Sequence, residues 1–283
     1  MSAGTEDGTM ASVHQTLVFD PAGARLAGER HDGAGPTVVA LHAGVTDRRC
    51  WREAIAHLGG GATVVSYDRR GYGETAPSSV PFSNLDDLLL VLDELDEGMV
   101  WLLGNSIGGE LALDLALRAP DRVAGLILLA PAVSGAPELL LDPDTQRLSD
   151  LIDQALATGD PDELNRLEAW LWLDGPSSRE GRVGDPARAL ALAMNAIVIA
   201  NESVQAELEA GPDLRAWNLL SEITVPTTVG CGALDLTGIV ARSRALAKSL
   251  PRAEFVALDG VAHLPSLEAP AAVAQLVVGA LER

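Results

Sequence analysis

Ser106 lies at the centre of a G-x-S-x-G pattern. Residues 104–108 read Gly-Asn-Ser-Ile-Gly, after the apolar run 100–103 and before the amphipathic stretch 110–118. A strand that turns sharply into a helix at this point would lift the serine hydroxyl above a sheet. The two glycines would let the backbone segments approach closely. The alternative is a glycine-rich turn with an incidental serine, but the strand before the motif and the helix after it favour a nucleophile.

A serine nucleophile needs a general base, and that base needs an acid to orient it. The chain has five histidines, namely His14, His31, His42, His57 and His263. His42 lies at the carboxyl end of a predicted strand, although its segment is typical of a loop that binds an oxyanion. His263 follows the last predicted strand in a glycine-containing loop, from which it could reach Ser106. We therefore predict that His263 is the base.

Asp235 is the best candidate for the acid, because it follows the predicted strand 225–230 at its carboxyl end. Asp259 is the main rival, since it lies only four residues before His263, and we expect it to end the last strand and hold a turn. Asp68 also follows a strand. It begins a turn rich in arginine and glycine, which indicates a structural hydrogen-bonding role.

The elements that must position these side chains alternate between strands and helices. Strands are predicted at 15–19, 26–30, 37–41, 63–67, 100–103, 123–129, 225–230 and 254–258, and helices at 51–58, 85–95, 110–118, 239–250 and 270–281. Most of the strands are apolar throughout, which predicts a mostly parallel sheet covered by helices on both faces.

This alternation is interrupted between the sixth and seventh strands. Helical periodicity is found at 148–157, 162–173 and 186–209, and no strand-like run is convincing there. We therefore predict a helical cap at 136–218, inserted into a core formed by 13–135 and 219–283. Residues 1–12 are expected to be disordered.

Composition excludes several classes of function. The net charge is −20 and Lys248 is the only lysine, so no nucleic-acid partner is expected. Cys50 and Cys231 lack metal spacing and indicate a reducing, cytoplasmic setting. Residues 1–12 have no signal-peptide pattern, and no run of 18 uninterrupted apolar residues indicates a membrane span. The sequence has no cluster of residues of the types that bind metals, so no metal or cofactor is expected.

Five segments taken in order resemble the α/β-hydrolase family, in its form with a cap domain, over roughly residues 15 to 283. The segments are His42-Ala43-Gly44, where Ala43 replaces a usual glycine, Asp68 to Gly73, Gly104 to Gly109, Gly230 to Asp235, and Gly260 to His263 with Glu268-Ala269-Pro270. The chain order of Ser106, Asp235 and His263 also matches that family. The resemblance implies an α/β-hydrolase fold with a mostly parallel eight-stranded sheet, flanking helices and an inserted helical cap.

The resemblance also implies a division of catalytic roles. Ser106 would attack, His263 would shuttle the proton, and Asp235 would fix the tautomer of the histidine. The backbone amides of Ile107 and Gly44 would form an oxyanion hole. A serine in the motif argues against dehalogenase and epoxide-hydrolase chemistry, which would need an aspartate there.

Trp172, Asn195 and His42 are the candidate substrate-binding residues. Trp170 and Trp172 are two residues apart and cannot share a helix face, so either one faces the pocket or both are packing anchors. Asn195 lies on a nearly apolar helix and is either a satisfied core group or a pocket contact. No charged cluster is apparent that could clamp a phosphate or a carboxylate.

The sequence thus predicts a hydrolase for a small, fairly apolar carboxylic ester or lactone, with a homodimer left open. Three alternatives remain. The first is a C–C bond hydrolase acting on ring-fission diketones, a branch that also favours asparagine before the serine. The others are a cofactor-free haloperoxidase or perhydrolase, and a non-catalytic ligand receptor that retains the pocket.

Overall fold

The computed structural model describes residues 14–283, apart from the side chains of residues 202–206. The segment 1–12, which the sequence predicts to be disordered, lies outside the described residues.

Within residues 14–283, eight strands form one sheet, as the sequence predicts. They are β1 (His14–Phe19), β2 (Leu26–His31), β3 (Thr37–Leu41), β4 (Thr63–Tyr67), β5 (Val100–Asn105), β6 (Val123–Leu129), β7 (Thr227–Gly232) and β8 (Ala253–Leu258). Their order is β1-β2-β4-β3-β5-β6-β7-β8. β1 and β2 pair antiparallel with their neighbours, and the pairs from β4 to β8 are parallel. The sheet is therefore mostly parallel, with an antiparallel edge.

Helices cover both faces of this sheet. Those outside the segment between β6 and β7 are α1 (Arg52–Leu58), α2 (Asn84–Leu95), α3 (Ile107–Arg118), α7 (Thr237–Ser249), α8 (Pro265–Glu268) and α9 (Pro270–Leu281). Successive side chains of a strand point to opposite faces, so Leu102 packs in one apolar cluster and Leu103 in another. The first cluster includes α2, α3 and α7, and the second includes α1 and α9. The core thus consists of two apolar layers, one on each side of the sheet.

The chain between β6 and β7 is helical and contributes no strand to the sheet. It forms α4 (Pro143–Thr158), α5 (Pro161–Ala169), a π-helical turn (Trp170–Asp174) and α6 (Ala187–Leu208). We call residues 136–218 the helical insertion. Leu148, Leu164 and Leu171 of this segment share an apolar cluster with Leu236 and Ile239, which follow β7. The insertion therefore packs against the core beyond the carboxyl end of β7.

Several boundaries differ from the predicted ones for local reasons. α4 begins five residues before the predicted start, because the Asp142 side chain accepts hydrogen bonds from the amides of Asp144 and Thr145. An aspartate at the N-cap followed by a proline at the first helical position starts a helix at that point, even where the apolar periodicity begins only later in the sequence. β7 begins at Thr227, two residues later than predicted.

Candidate active site

Ser106 occupies the sharp turn between β5 and α3. Its backbone has φ 54° and ψ −117°, a conformation that non-glycine residues rarely adopt and that is concentrated at functional sites. A Cβ added at Gly104 would lie 2.4 Å from the carbonyl oxygen of Gly108, and one added at Gly108 would lie 2.2 Å from that of Leu41. The absence of side chains at these two positions lets the turn pack against its own helix and against β3.

His263 and Asp235 form a buried pair at the carboxyl ends of β8 and β7. The Nδ1 atom of His263 lies 2.8 Å from Oδ2 of Asp235, and the side chains are 3% and 0% exposed. The other carboxylate oxygen, Oδ1, accepts a hydrogen bond of 2.7 Å from the amide of Leu236. A carboxylate can only accept, so Nδ1 carries a proton, and in the neutral ring Nε2 then has a free lone pair. This is the tautomer that a general base requires.

The other two aspartates weighed as the acid lie elsewhere. Asp259 is exposed after the end of β8. Asp68 is fully buried, accepts hydrogen bonds from the amides of Arg48 and Glu74, and pairs with the Arg48 guanidinium. Burial raises the pKa of the Asp68 carboxyl to about 6, against the lowering effect of Arg48. Asp68 therefore holds the turn that follows β4, as the sequence predicts.

Ser106 and His263 line one cavity of about 450 Å³. The core contributes Ala43, Gly44, Val45, Gly71, Tyr72 and Ile107 to the wall, and the helical insertion contributes Glu168, Trp172, Val198, Asn201 and Glu209. The cavity thus lies between the carboxyl edge of the sheet and the insertion, where ligands bind in open α/β sheets.

Gly44 and Ile107 lie side by side in this wall. A Cβ added at Gly44 would lie 2.9 Å from Cδ1 of Ile107. Ile107 is the first residue of α3, so its amide has no partner within the helix. The helix dipole also favours negative charge at that end. Gly44 and Ile107 are thus neighbours in the cavity wall that Ser106 also lines.

His42 is not among the described residues that line the cavity. Its ring is fully buried, Nε2 accepts a hydrogen bond of 3.1 Å from the amide of Arg69, and Nδ1 lies 2.8 Å from the carbonyl oxygen of Ala43. Burial, aided by the Arg69 charge, lowers its pKa well below the usual value, so the ring is neutral. The structure therefore gives His42 contacts that fix the backbone of residues 42–44, instead of the substrate contact expected from the sequence.

The two tryptophans of the π-helical turn point to different places. Trp172 lines the cavity, and its ring centroid lies 4.8 Å from that of His263. The Nε1 atom of Trp170 donates to the carbonyl oxygen of Ser178, and the Arg147 guanidinium lies over its ring. Of the two arrangements left open by the sequence, the structure shows the one in which a single tryptophan faces the pocket.

Asn195 is buried behind the cavity wall. Its Nδ2 donates to Oδ1 of Asn165 at 3.1 Å and to Oε2 of Glu168 at 2.7 Å. It lines only a small void of about 10 Å³ next to the main cavity. Asn195 is thus a buried group that holds Glu168 through Nδ2, while its Oδ1 has no hydrogen-bond partner among the described residues. It fits neither of the two possibilities that the sequence left even, since it is not fully satisfied and does not line the main cavity.

Sequence reasoning missed several residues that come close to the site. Asn201 on α6 donates from Nδ2 to the carbonyl oxygen of Gly71 at 2.9 Å, and so ties the insertion to the turn after β4. Tyr72 lies in that turn and also lines the cavity. Asn201 lies in no motif, and the Asp68 to Gly73 segment that contains Tyr72 does not by itself indicate a pocket contact, because each residue is brought to the site by the fold.

A second cavity of about 500 Å³ adjoins the first and shares Ile107 and Glu209 with it. Among the described residues, four carboxylates line this second cavity, together with the guanidinium of Arg69: Glu110, Asp114, Glu209 and Asp213. Burial, with the neighbouring carboxylates, raises the pKa of Glu110 to about 7, and burial raises that of Asp114 to about 6. The surroundings of the site are therefore acidic, which the sequence analysis did not foresee.

The described side chains, those of residues 14–201 and 207–283, include no group of three or more histidine, cysteine, aspartate or glutamate residues that could hold a metal ion. In the same part of the chain, no helix is long and apolar enough to cross a membrane.

A sequence profile described as the alpha/beta hydrolase family matches residues 38–276. Lipase LipV of Mycobacterium tuberculosis is 34% identical over 145 residues, which are 50% of this chain and 51% of LipV. The match to this relative thus spans about half of its length. The pimeloyl-[acyl-carrier protein] methyl ester esterase of Nitrosomonas europaea is 28% identical over 246 residues, covering 84% of this chain and 92% of the esterase.

Among solved structures, the fold is similar to that of Est816, described as an N-acyl homoserine lactone degrading enzyme. The TM-score is 0.71 at 25% identity, and the match covers 93% of this chain and 99% of Est816.

Proposed function

The chain belongs to the alpha/beta hydrolase family, and on that premise we propose that it is a serine hydrolase that cleaves a small carboxylic ester or lactone. The observation that carries the proposal is the buried hydrogen bond between His263 and Asp235 beside a cavity that Ser106 also lines. The esterase and lactone-degrading activities named for two of the relatives support the same substrate class.

The proposed reaction starts with attack by Oγ of Ser106 on the carbonyl carbon of the substrate. Nε2 of His263 accepts the serine proton, and the Asp235 carboxylate stabilises the imidazolium that results. The amides of Ile107 and Gly44 donate to the oxyanion of the tetrahedral intermediate. Collapse of the intermediate breaks the bond to the leaving oxygen, which takes the proton from His263 and leaves an acyl-enzyme.

Water then completes the cycle. His263 accepts a proton from the water that attacks the acyl-enzyme, and Ser106 recovers a proton when the second intermediate collapses. An ester yields a free alcohol in the first step, whereas the leaving oxygen of a lactone remains attached to the acyl group. Both substrates therefore require the same groups, and the shape of the cavity decides between them.

We propose that the helical insertion is the cap that closes this site. The close approach of the Trp172 ring to that of His263 and the hydrogen bond from Asn201 to Gly71 support this role. A cavity of about 450 Å³ has the size of many small-molecule sites, which supports a substrate of modest length.

We also propose that the protein works in the reducing environment of the cytoplasm and that its reaction needs no cofactor. Cys50 and Cys231 are both buried and free, and burial raises the thiol pKa of each, that of Cys231 to about 12. Neither thiol is therefore set up as a nucleophile, which supports the assignment of that role to Ser106.

The experiment that tests the proposal compares wild type with Ser106→Ala. Both proteins receive short-chain aryl esters, several lactones and one ring-fission diketone, and acid release is followed. We expect wild type to hydrolyse esters or lactones and the variant to lose about 10⁴-fold or more in kcat. Unchanged far-ultraviolet circular dichroism of the variant shows that the loss is chemical and does not reflect unfolding.

The other outcomes separate the alternatives. Near-native turnover by Ser106→Ala would refute the mechanism, and turnover of the diketone alone would assign C–C bond cleavage, to which Asn105 also points. A fluorophosphonate that labels Ser106 without turnover of any of these compounds would keep the mechanism and reject these substrates. Absence of both labelling and turnover would indicate a ligand receptor.

A further inference from the structure

Arg182 joins the helical insertion to the loop that carries His263. Its guanidinium donates from Nε to the carbonyl oxygen of Asp174 at 2.7 Å and from Nη2 to that of Leu173 at 2.8 Å, both within the insertion. It also donates from Nη1 to the carbonyl oxygen of Gly260 at 2.9 Å and pairs with the Glu268 carboxylate. One side chain therefore contacts the π-helical turn and both ends of the histidine loop.

Glu268 in turn holds the backbone amides of the two residues that flank His263. Its carboxylate accepts from the amide of Ala262 at 2.9 and 3.1 Å and from the amide of Leu264 at 3.2 Å. The Glu268 side chain is only 2% exposed, so its charge needs a partner. Arg182 is the cation that contacts it.

The remaining backbone groups of His263 are bonded as well. Its amide donates to the carbonyl oxygen of Trp172 at 3.2 Å, and its carbonyl oxygen accepts from Nδ2 of Asn105 at 3.2 Å. Trp172 belongs to the same π-helical turn that Arg182 holds through the carbonyl oxygens of Leu173 and Asp174. The position of His263 thus depends on the insertion through a direct bond and through the Arg182–Glu268 pair.

We propose that Arg182 and Glu268 are positioning residues for the general base, through which the helical insertion fixes His263 relative to Ser106. The proposal rests on the serine hydrolase function proposed above. Neither residue lines the cavity of Ser106, so their effect falls on the geometry of proton transfer rather than on substrate contacts. A misplacement of about 1 Å in a catalytic group can cost ~10²-fold in rate.

The test compares Arg182→Met, Arg182→Lys and Glu268→Gln with wild type. Arg179→Met is the matched control, because Arg179 lies in the same loop and is exposed. Active sites are counted by fluorophosphonate titration, so that an unfolded fraction does not lower the measured kcat. We expect Arg182→Met and Glu268→Gln to lower kcat by about 10- to 100-fold with KM little changed. Arg182→Lys should recover part of the loss, and Arg179→Met should behave as wild type.

The double variant Arg182→Met/Glu268→Gln tests whether the two side chains act as one unit. If they do, its kcat is no lower than that of the worse single variant, since effects within one network are not additive. Wild-type kcat per active site in Arg182→Met would overturn the proposal, and so would a loss confined to KM or an equal loss in Arg179→Met.

A second measurement is independent of turnover. The Nδ1 proton of His263, bonded to Asp235, is followed by proton NMR, and its resonance should shift or broaden in Arg182→Met but not in Arg179→Met. An unshifted resonance would overturn the positioning role. If wild type shows no Ser106-dependent turnover, the proposed function fails, and the NMR comparison still decides the positioning role.

Discussion

Two aspartates compete for His263 in the sequence, and burial separates them in the structure. The Asp235 side chain is fully buried and bonded to Nδ1 of His263, whereas Asp259 is exposed. In the wild-type structure the Leu236 amide donates to Oδ1 of Asp235. In Asp235→Asn the side-chain oxygen of the asparagine should keep this hydrogen bond. The NH₂ group would then face Nδ1 and force the ring proton to Nε2, the wrong tautomer for a base. We expect kcat to fall by about 10⁴-fold.

Asp259→Asn is the matched control for this prediction. It removes the same charge four residues from His263 without touching the hydrogen bond, so kcat/KM should stay within about twofold of wild type. Initial rates on the best ester found in the screen give the comparison. A larger loss in Asp259→Asn than in Asp235→Asn would mean that Asp259 is the acid.

The hydrogen bonds of Asn105 give this residue a structural role that the sequence alone does not show. In the sequence it pointed to a C–C bond hydrolase, because it precedes the serine. In the structure its Nδ2 donates to the carbonyl oxygens of Leu129 and His263 at 2.9 and 3.2 Å. These bonds join β5, β6 and the histidine loop below the cavity. A residue that links β5 to the histidine loop would serve any reaction of this site, so Asn105 alone does not select a substrate.

At the scale of the element, the turn from β5 into α3 depends on Gly104. A Cβ there would lie 2.4 Å from the carbonyl oxygen of Gly108 and 2.7 Å from the Cα of Gly109. These are backbone atoms of the helix that follows Ser106, so they cannot move without displacing the serine. We expect Gly104→Ala to lower the free energy of unfolding by about 3 kcal/mol or more, measured by urea denaturation.

Gly98→Ala is the control for the same change of residue type. Gly98 is exposed just before β5, and a Cβ there has no neighbour within 4 Å. Its free energy of unfolding should stay within about 0.5 kcal/mol of wild type. Equal stability of Gly104→Ala and Gly98→Ala would show that the turn relaxes, contrary to the close packing of α3 on β5.

The strands were predictable because most of them are buried on both faces and hence apolar throughout. β3, β4 and β6 have the predicted bounds. The π-helical turn Trp170–Asp174 was not predictable, since periodicity separates helix from strand but not one helix type from another. α8 was missed because it has only four residues, too few for any periodicity to show.

The chain order of Ser106, Asp235 and His263 was enough to propose a triad, because parallel strands bring their carboxyl ends to one edge. The supporting contacts were not predictable. Arg182 and Glu268 are 86 residues apart and form an ion pair, and neither lies in a motif that specifies the other. Such pairs depend on how the insertion sits on the core, which is a property of the whole fold.

At the scale of the whole molecule, the net charge is −20, and part of the negative charge lies around the site. Glu168 and Glu209 line the first cavity and Glu209 also lines the second, where Glu110, Asp114 and Asp213 add further carboxylates. A cleft in which one sign of charge predominates, as carboxylates do here over the single guanidinium of Arg69, raises the local concentration of substrates of the opposite sign and repels the others. The molecule should therefore discriminate between esters by charge, even though the sequence predicted only an apolar pocket.

Three acetate esters of similar shape test this expectation. Acetylcholine carries a cation, 3,3-dimethylbutyl acetate is its neutral isostere, and 4-acetoxy-2,2-dimethylbutanoate carries an anion. We expect kcat/KM to fall in that order, with the cationic ester favoured over the anionic one by about tenfold or more at low salt. The ratio should shrink in ~1 M NaCl, where the screening length is about 3 Å.

Glu209→Gln shows whether the charge of the two cavities causes this preference. Glu209 lines both cavities, and a glutamine could still accept the hydrogen bond that Nδ2 of Asn84 donates to Oε1. The ratio of kcat/KM for the cationic ester to kcat/KM for the anionic ester should therefore fall, while the rate on the neutral ester stays the same.

Glu222→Gln is the control for this change. It removes an equal charge from an exposed position outside both cavities and should leave the ratio unchanged. If the anionic ester reacted as fast as the neutral one in wild type, the carboxylates would have to be neutralised around the bound substrate, and the acidic cavity would have no part in specificity.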